Sequence, residues 1–309
     1  MIATIIGALA PIALLIAFGL ALRHRRILAE SFWPQAERLG YYVLLPSLFL
    51  HSLATSHMEG LPVGAMVAAI VLSTLAVAAA LVLLRPTMAI DGPGFTSIFQ
   101  GGVRFNNYIG VTAAAGIFGA QGVALSAVAN ASIVPTVNVL CVLVFASFGA
   151  AKLSFTGVLK QIALNPLVLA CVGGIALNLL KLGLPPGIEP ALRALGQASL
   201  PLGLLCVGAA LNLSAIKSWA KPIAIASVAK LIVMPVATAL ACLAFGLKGP
   251  AAATALIFQA LPTASSSYIM ARQLGGDAPL MAGITAVQTV LAALTMPIVL
   301  TLLLSWVAG

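Results

Sequence analysis

The sequence predicts an all-α polytopic membrane protein, with ten transmembrane helices in a 5+5 inverted-topology repeat and two broken crossover helices. Three observations lead there. First, the 309 residues are 62% hydrophobic and 7% charged, with mean hydropathy +1.16, against roughly 25% charged in a soluble domain. Second, the apolar residues fall into ten runs of about 20, the length that spans a hydrocarbon core of about 30 Å. Third, FQGGVRFNNYI (99–109) recurs, altered, as FQALPTASSSYI (258–269). Both put Asn, Ser or Thr with Gly or Pro where a membrane helix should be apolar and unbroken. Such backbone is tolerated at membrane depth only when buried in protein or lining a cavity.

In chain order the runs are 2–22, 32–55, 62–84, 95–117, 121–149, 160–181, 191–213, 222–246, 250–272 and 278–307. The breaks between them are polar or helix-terminating. They include Arg23 to Arg26, Gly60-Leu61-Pro62, Arg85-Pro86, Gly119 to Gly122, Lys152, Pro185-Pro186-Gly187, Lys217 to Pro222, Lys248-Gly249-Pro250 and Gly275-Gly276-Asp277. No linker has the length of a soluble domain. With the 23–31 loop in the cytoplasm, the inner loops hold nine Lys and Arg and the outer loops three (Lys181, Arg193 and Lys248). The positive-inside rule then sets both termini outside. The same rule accounts for the excess of 15 basic over 6 acidic residues, and no basic, aromatic-interleaved segment points to nucleic acid. Cys141, Cys171, Cys206 and Cys242 lie in apolar runs without C-x-x-C spacing and read as core residues. No metal or cofactor is expected. The N-terminus has no basic residue before its apolar run, so a cleaved signal peptide is not expected.

The repeat extends beyond the two polar motifs. Pro11, Leu14, Gly19 and Ala21-Leu22 recur as Pro166, Leu169, Gly174 and Ala176-Leu177. Arg38 and Leu45-Pro46 recur as Arg193 and Leu200-Pro201. The halves are 1–150 and 151–309. Five spans each, an odd number, force the second half into the membrane in the opposite sense, the arrangement of carriers with a midplane site.

The candidate site residues cluster in spans four and nine. Gly101, Gly102 and Pro262 are the expected helix breakers, glycine by weakening the helix and proline by removing an N–H. Arg104, Asn106, Asn107, Tyr108, Pro262, Thr263, Ser265 and Ser266 are expected to contact substrate. Lys230 lies nine residues after Lys221, about 13 Å along a helix and so near the midplane. Glu30, Glu37, Glu59, Asp91, Glu189 and Asp277 all fall at or near span ends. Deep cations without deep anions point to a substrate that supplies negative charge; capping of broken-helix carbonyls is the alternative for Arg104 and Lys230. His51, Asn130, Asn138 and Gln288 complete the set facing the cavity, although a lone membrane His is more often a hydrogen-bonded helix contact than a proton carrier.

The stretches RFNNYIG (104–110), LPTASSSYIMARQLGGDA (261–278), KLIVMP (230–235) and PSLFLH (46–51) resemble the auxin efflux carrier family, which includes plant PIN carriers and bacterial malonate-type permeases. The resemblance spans essentially the whole chain. It implies a fold similar to the bile-acid symporters and sodium/proton antiporters. It also implies a scaffold of helices 1, 2, 6 and 7, a transport domain of helices 3–5 and 8–10, and a homodimer in the cell membrane, the inner membrane for a bacterium. Family members carry organic anions near the crossover of spans four and nine, with a proton or sodium ion as possible coupling ion. Where members often carry Pro, two residues after the Gly matching Gly110, this chain has Thr112, so its first break is expected to rest on Gly101, Gly102 and the Asn pair. The expected function is elevator-type secondary transport of a small carboxylate. The alternatives are a ligand-binding receptor that moves nothing and an intramembrane enzyme, for which no G-x-S-x-G sequence is present.

Overall fold

A computed structural model describes residues 2–55, 62–149, 164–211, 219–264 and 266–308. Among these residues the chain is helical throughout its ordered elements, with no strand. Among the described residues, five segments are long and apolar enough to cross a membrane: Val63–Thr87, Gly92–Phe148, Ile188–Ala210, Ala220–Ala244 and Ala278–Leu303. Ala10–His24 and Pro166–Leu179 are shorter apolar helices. The chain divides into two compact units, each drawn from three stretches of sequence.

Unit 1 comprises Met1–Leu61, Tyr108–Ala131 and Gln161–Ala210. It holds α1 (Ile2–His24), α2 (Phe32–Leu39), a π turn (Gly40–Leu44) and α3 (Leu45–Thr55). The first half of α6 (Asn107–Phe148), α7 (Pro166–Leu179) and α8 (Ile188–Ala210) complete it. Apolar residues alone give helices in lipid no preferred partner, so close packing comes from small residues. A Cβ on Gly19 would collide with the Leu205 carbonyl, and one on Gly208 with the Ile16 carbonyl, so α1 and α8 pack backbone to backbone. Gly174 and Gly196 do the same for α3, where a Cβ would stand 2.8 Å from Leu53 Cβ and 2.9 Å from Leu48 Cα. Asn165 caps α7 by accepting from the Leu167 N–H at 2.9 Å, and its amide donates to the Tyr41 hydroxyl at 3.0 Å.

Unit 2 comprises Pro62–Asn107, Ser132–Lys160 and Leu211–Gly309. It holds α4 (Val63–Leu84), α5 (Gly92–Val103), the second half of α6, α9 (Ala220–Val228), a π turn (Ala229–Val233) and α10 (Met234–Ala244). It ends with α11 (Gly249–Gln259), α12 (Ser266–Leu274) and α13 (Ala278–Ala308). α10 packs on α4, α9 on α5, and α13 against α11 and α12. Asp91 caps α5, accepting from the Gly94 N–H at 2.9 Å, and Asp277 accepts from the Leu280 N–H at 2.9 Å at the start of α13. Each π turn precedes a proline by two residues, Pro46 and Pro235. The wider turn accommodates a ring that would clash with the carbonyl four residues back.

The two polar motifs each divide a helix pair, α5 from α6 and α11 from α12. The first break is displaced from its expected position. Gly101 and Gly102 lie inside α5, and the non-helical residues are Arg104 to Asn106. The glycines serve packing: a Cβ on Gly101 would stand 2.7 Å from Ile284 Cγ2 and 3.1 Å from Ala226 Cβ, and one on Gly102 2.6 Å from Leu81 Cδ1. Thr112 in place of proline does not prevent the break; its hydroxyl donates to the Tyr108 carbonyl at 2.7 Å within a regular helix. The second break includes Pro262, as expected. Within α6 a further turn occurs at Gly119, φ 58° and ψ −137°, a region essentially closed to residues with a Cβ.

Candidate functional site at the paired helix breaks

Within unit 2 the two breaks lie against each other. The Asn106 N–H donates to the Pro262 carbonyl at 2.9 Å, joining the two non-helical strands of backbone directly. The Phe105 and Phe258 rings pack beside this bond with centroids 5.8 Å apart. A broken helix leaves carbonyls at its first end and N–H groups at its second, and one side chain serves both. Gln288, fully buried on α13, donates from Nε2 to the Gly101 carbonyl at 3.0 Å. Its Oε1 accepts from the Thr263 N–H at 2.9 Å.

Arg104 is the charged member of this group. Its backbone is extended at the C-terminus of α5, φ −74° and ψ 164°, with its N–H donating to the Gln100 carbonyl. Its guanidinium reaches the first turn of α12, donating from Nε to Ser267 Oγ at 3.0 Å and approaching Ser266 Oγ at 3.5 Å. Nη1 donates to Asn138 Oδ1 at 3.1 Å and lies 3.3 Å from the Met270 sulfur. Thr263 and Ser267 share a hydroxyl contact of 3.2 Å. No carboxylate pairs with Arg104 among the described residues. A guanidinium therefore stands beside a helix N-terminus, which carries positive partial charge of its own. The two together favour an anion. Among the described residues the Arg104 guanidinium donates to side chains and to no broken-helix carbonyl.

Lys230 lies in the π turn Ala229–Val233, fully buried, with Nζ making no hydrogen bond. Its neighbours Ala226 and Ala229 face Gly101 and Gly102 of α5. The capping alternative for this lysine thus finds no carbonyl. Both amide atoms of Gln100, Oδ1 of Asn107 and Oε1 of Gln259 are also buried without partners. Buried polar atoms are usually satisfied by protein, water or ligand, so this concentration beside the breaks marks unfilled hydrogen-bonding capacity.

The remaining expected site residues are elsewhere or outside the description. Ser265 lies outside the described residues. Tyr108 belongs to unit 1, where its ring packs against Gly40 and Gly203. Asn130, also in unit 1, donates to the Ser126 carbonyl of its own helix at 2.9 Å, with Oδ1 buried and unpartnered. His51 lines a separate cavity of unit 1. The sequence reading missed the polar face of α4: Gln259 Nε2 donates to Thr74 Oγ1 at 2.8 Å and to Ser73 Oγ and the Ile70 carbonyl at 3.2 Å. Thr238 donates to Ser73 Oγ at 3.0 Å. Adjacent Ser73-Thr74 within a 22-residue apolar helix was the available signal.

Comparison with known proteins points to membrane transport. Residues 151–300 match the family model described as "Membrane transport protein". A protein of Rhizobium meliloti (strain 1021) named "Putative malonate transporter" is 30% identical over 120 residues, 38% of this chain and 38% of that protein. The match thus spans well under half of either chain. The family match over the second half of the chain, together with the motifs quoted from both halves, supports a membrane transport protein of the auxin efflux carrier type.

Proposed function

We propose that this protein is a secondary carrier for a small organic anion, with a malonate-like dicarboxylate as the leading cargo, bound where the two helix breaks meet. The observation that carries the reading is the Arg104 guanidinium at the N-terminus of α12, with no paired carboxylate among the described residues. The name of the Rhizobium meliloti relative supplies the substrate class. Arg104, Asn106, Asn107, Thr263, Ser265 and Ser266 are its contacts in this reading, with Lys230 as a second basic side chain, fully buried. In the same reading the chain crosses the cell membrane ten times as a 5+5 inverted repeat, with both termini outside. Every one of the ten apolar runs is helical over most of its described length, which supports that count. Transport proceeds by an elevator movement of helices 3–5 and 8–10 against a dimeric scaffold of helices 1, 2, 6 and 7, with a proton or sodium ion as coupling ion. The division into two compact units supports this, since helices 1, 2, 6 and 7 all fall in unit 1. Residues 108–131 also belong to unit 1, so the boundary runs inside the fourth and fifth helices.

Proteoliposomes containing the protein are expected to accumulate radiolabelled malonate, where a receptor would bind it without uptake and an enzyme would convert it. Charge-assisted hydrogen bonds contribute roughly 1.5–3 kcal/mol, so Arg104→Gln is expected to weaken calorimetric malonate binding about tenfold or more. Malonamide, uncharged and of the same shape, should lose far less. Equal losses for acid and amide would mean that Arg104 holds the fold and not the substrate charge.

A further inference from the structure

Unit 1 contains a cavity of about 660 Å³, built from α3, the stretch of α6 just after Gly119, and α8. This lies within the roughly 300–1,000 Å³ of small-molecule sites. Its polar wall carries His51, Thr55, Gln121, Arg193 and Gln197, and its apolar wall includes Leu48 and Leu192. Glu189, one turn before Arg193 on α8, sends its carboxylate between the two cationic-type side chains. Oε1 is 3.5 Å from His51 Nε2 and pairs with Arg193 Nη2. The histidine nitrogen is buried and makes no hydrogen bond even so. The Arg193 side chain is 58% exposed, and exposed pairs one turn apart on a helix are weak. The contact with Arg193 is short, but water competes for it, so a protein carboxylate holds the position between Arg193 and His51 at little gain in stability.

We propose that this cavity is a second binding site for a small carboxylate, whose own carboxylate takes Arg193 and His51 over from Glu189. Arginine pairs with carboxylates in a bidentate fork, and its exposure allows it to turn from Glu189 toward the cavity. Gln121 and Gln197 offer amide donors and acceptors to the far end of the ligand, and Leu48 and Leu192 shield its carbon chain. Glu189 is then a competitor of the ligand as well as its placeholder. Removing its charge strengthens binding, whereas removing Arg193 abolishes it. The proposal takes its ligand class from the carrier reading but uses none of the residues at the helix breaks.

The test is protection from maleimide labelling in the full-length protein, whose four native cysteines are all buried. Gln197→Cys reports on this cavity and Ser266→Cys on the helix breaks, with malonate as probe. Malonate is expected to slow labelling of Gln197→Cys at least threefold. Adding Arg193→Gln should remove the protection, and adding Glu189→Gln should bring it on at about tenfold lower malonate. Adding Arg104→Gln should leave it unchanged. A folding defect cannot reproduce opposite shifts from two neighbouring substitutions. Labelling indifferent to malonate, or protection that follows Arg104→Gln and ignores Arg193→Gln, overturns the second site. Protection at Ser266→Cys alone leaves the carrier reading standing without it; protection at Gln197→Cys alone does the reverse.

Discussion

Gln288 carries more of the crossover than its single side chain would indicate. It satisfies one orphan carbonyl and one orphan N–H, both created by helix breaks, in a position with no solvent access. Leucine has nearly its volume but neither polar atom. An unsatisfied buried backbone group costs about 1–3 kcal/mol, so Gln288→Leu is expected to destabilise by about 2 kcal/mol or more. The readout is a lower midpoint of thermal unfolding in detergent. An unchanged midpoint would show that water replaces the amide at both breaks. The residue illustrates how far the sequence could be read: its amide in an apolar run marked it as a site candidate, but its true partners are 187 and 25 residues away. Arg104 was legible for a similar reason, as a charge where none should lie. Asn130 bonds the Ser126 carbonyl of its own helix through its amide nitrogen, and its sequence signature does not separate that contact from one facing a ligand.

At the scale of elements, glycines divide into those that turn the chain and those that let helices touch. Gly119 turns it: a Cβ there would meet nothing within 4 Å, yet φ is 58°. Gly119→Ala therefore tests backbone strain alone, and about 1–3 kcal/mol is expected from holding a residue with a Cβ in this nearly glycine-only conformation. Gly208 lets α8 meet α1, so Gly208→Leu should lower the melting temperature markedly. Gly7→Leu, at a position in α1 with open space around it, should not. If both leucines were tolerated equally, backbone contact between α1 and α8 would not be what holds them. The helical segments themselves were readable from apolar run length. The site of the first break was not: glycine weakens a helix locally, but α5 continues through Gly101 and Gly102 because Leu81, Ala226 and Ile284 pack against them. The chain leaves the helix where the Pro262 carbonyl and Gln288 offer replacement bonds. No local pattern announced the two π turns, although both precede prolines.

For the whole molecule, the loop charges make the prediction. By the positive-inside rule, nine basic residues against three predict a cytoplasmic 23–31 loop and both termini outside. On intact cells, Trp306→Cys is expected to react with an impermeant thiol reagent and Ser31→Cys to be protected until the membrane is opened. Labelling of Ser31→Cys alone from outside would invert the assignment, and with it the side from which each cavity is reached.

The bond from Asn106 to Pro262 and the Gln288 bridge tie four backbone groups from distant parts of the chain into one clasp. A clasp of this kind opens as a unit or not at all. In hydrogen–deuterium exchange, the amides of Asn106 and Thr263 should therefore exchange with a common opening free energy, although 157 residues separate them. Gln288→Leu should raise both rates together. Separate responses would mean that each break breathes on its own, and a carrier built that way would have no shared event to couple its halves.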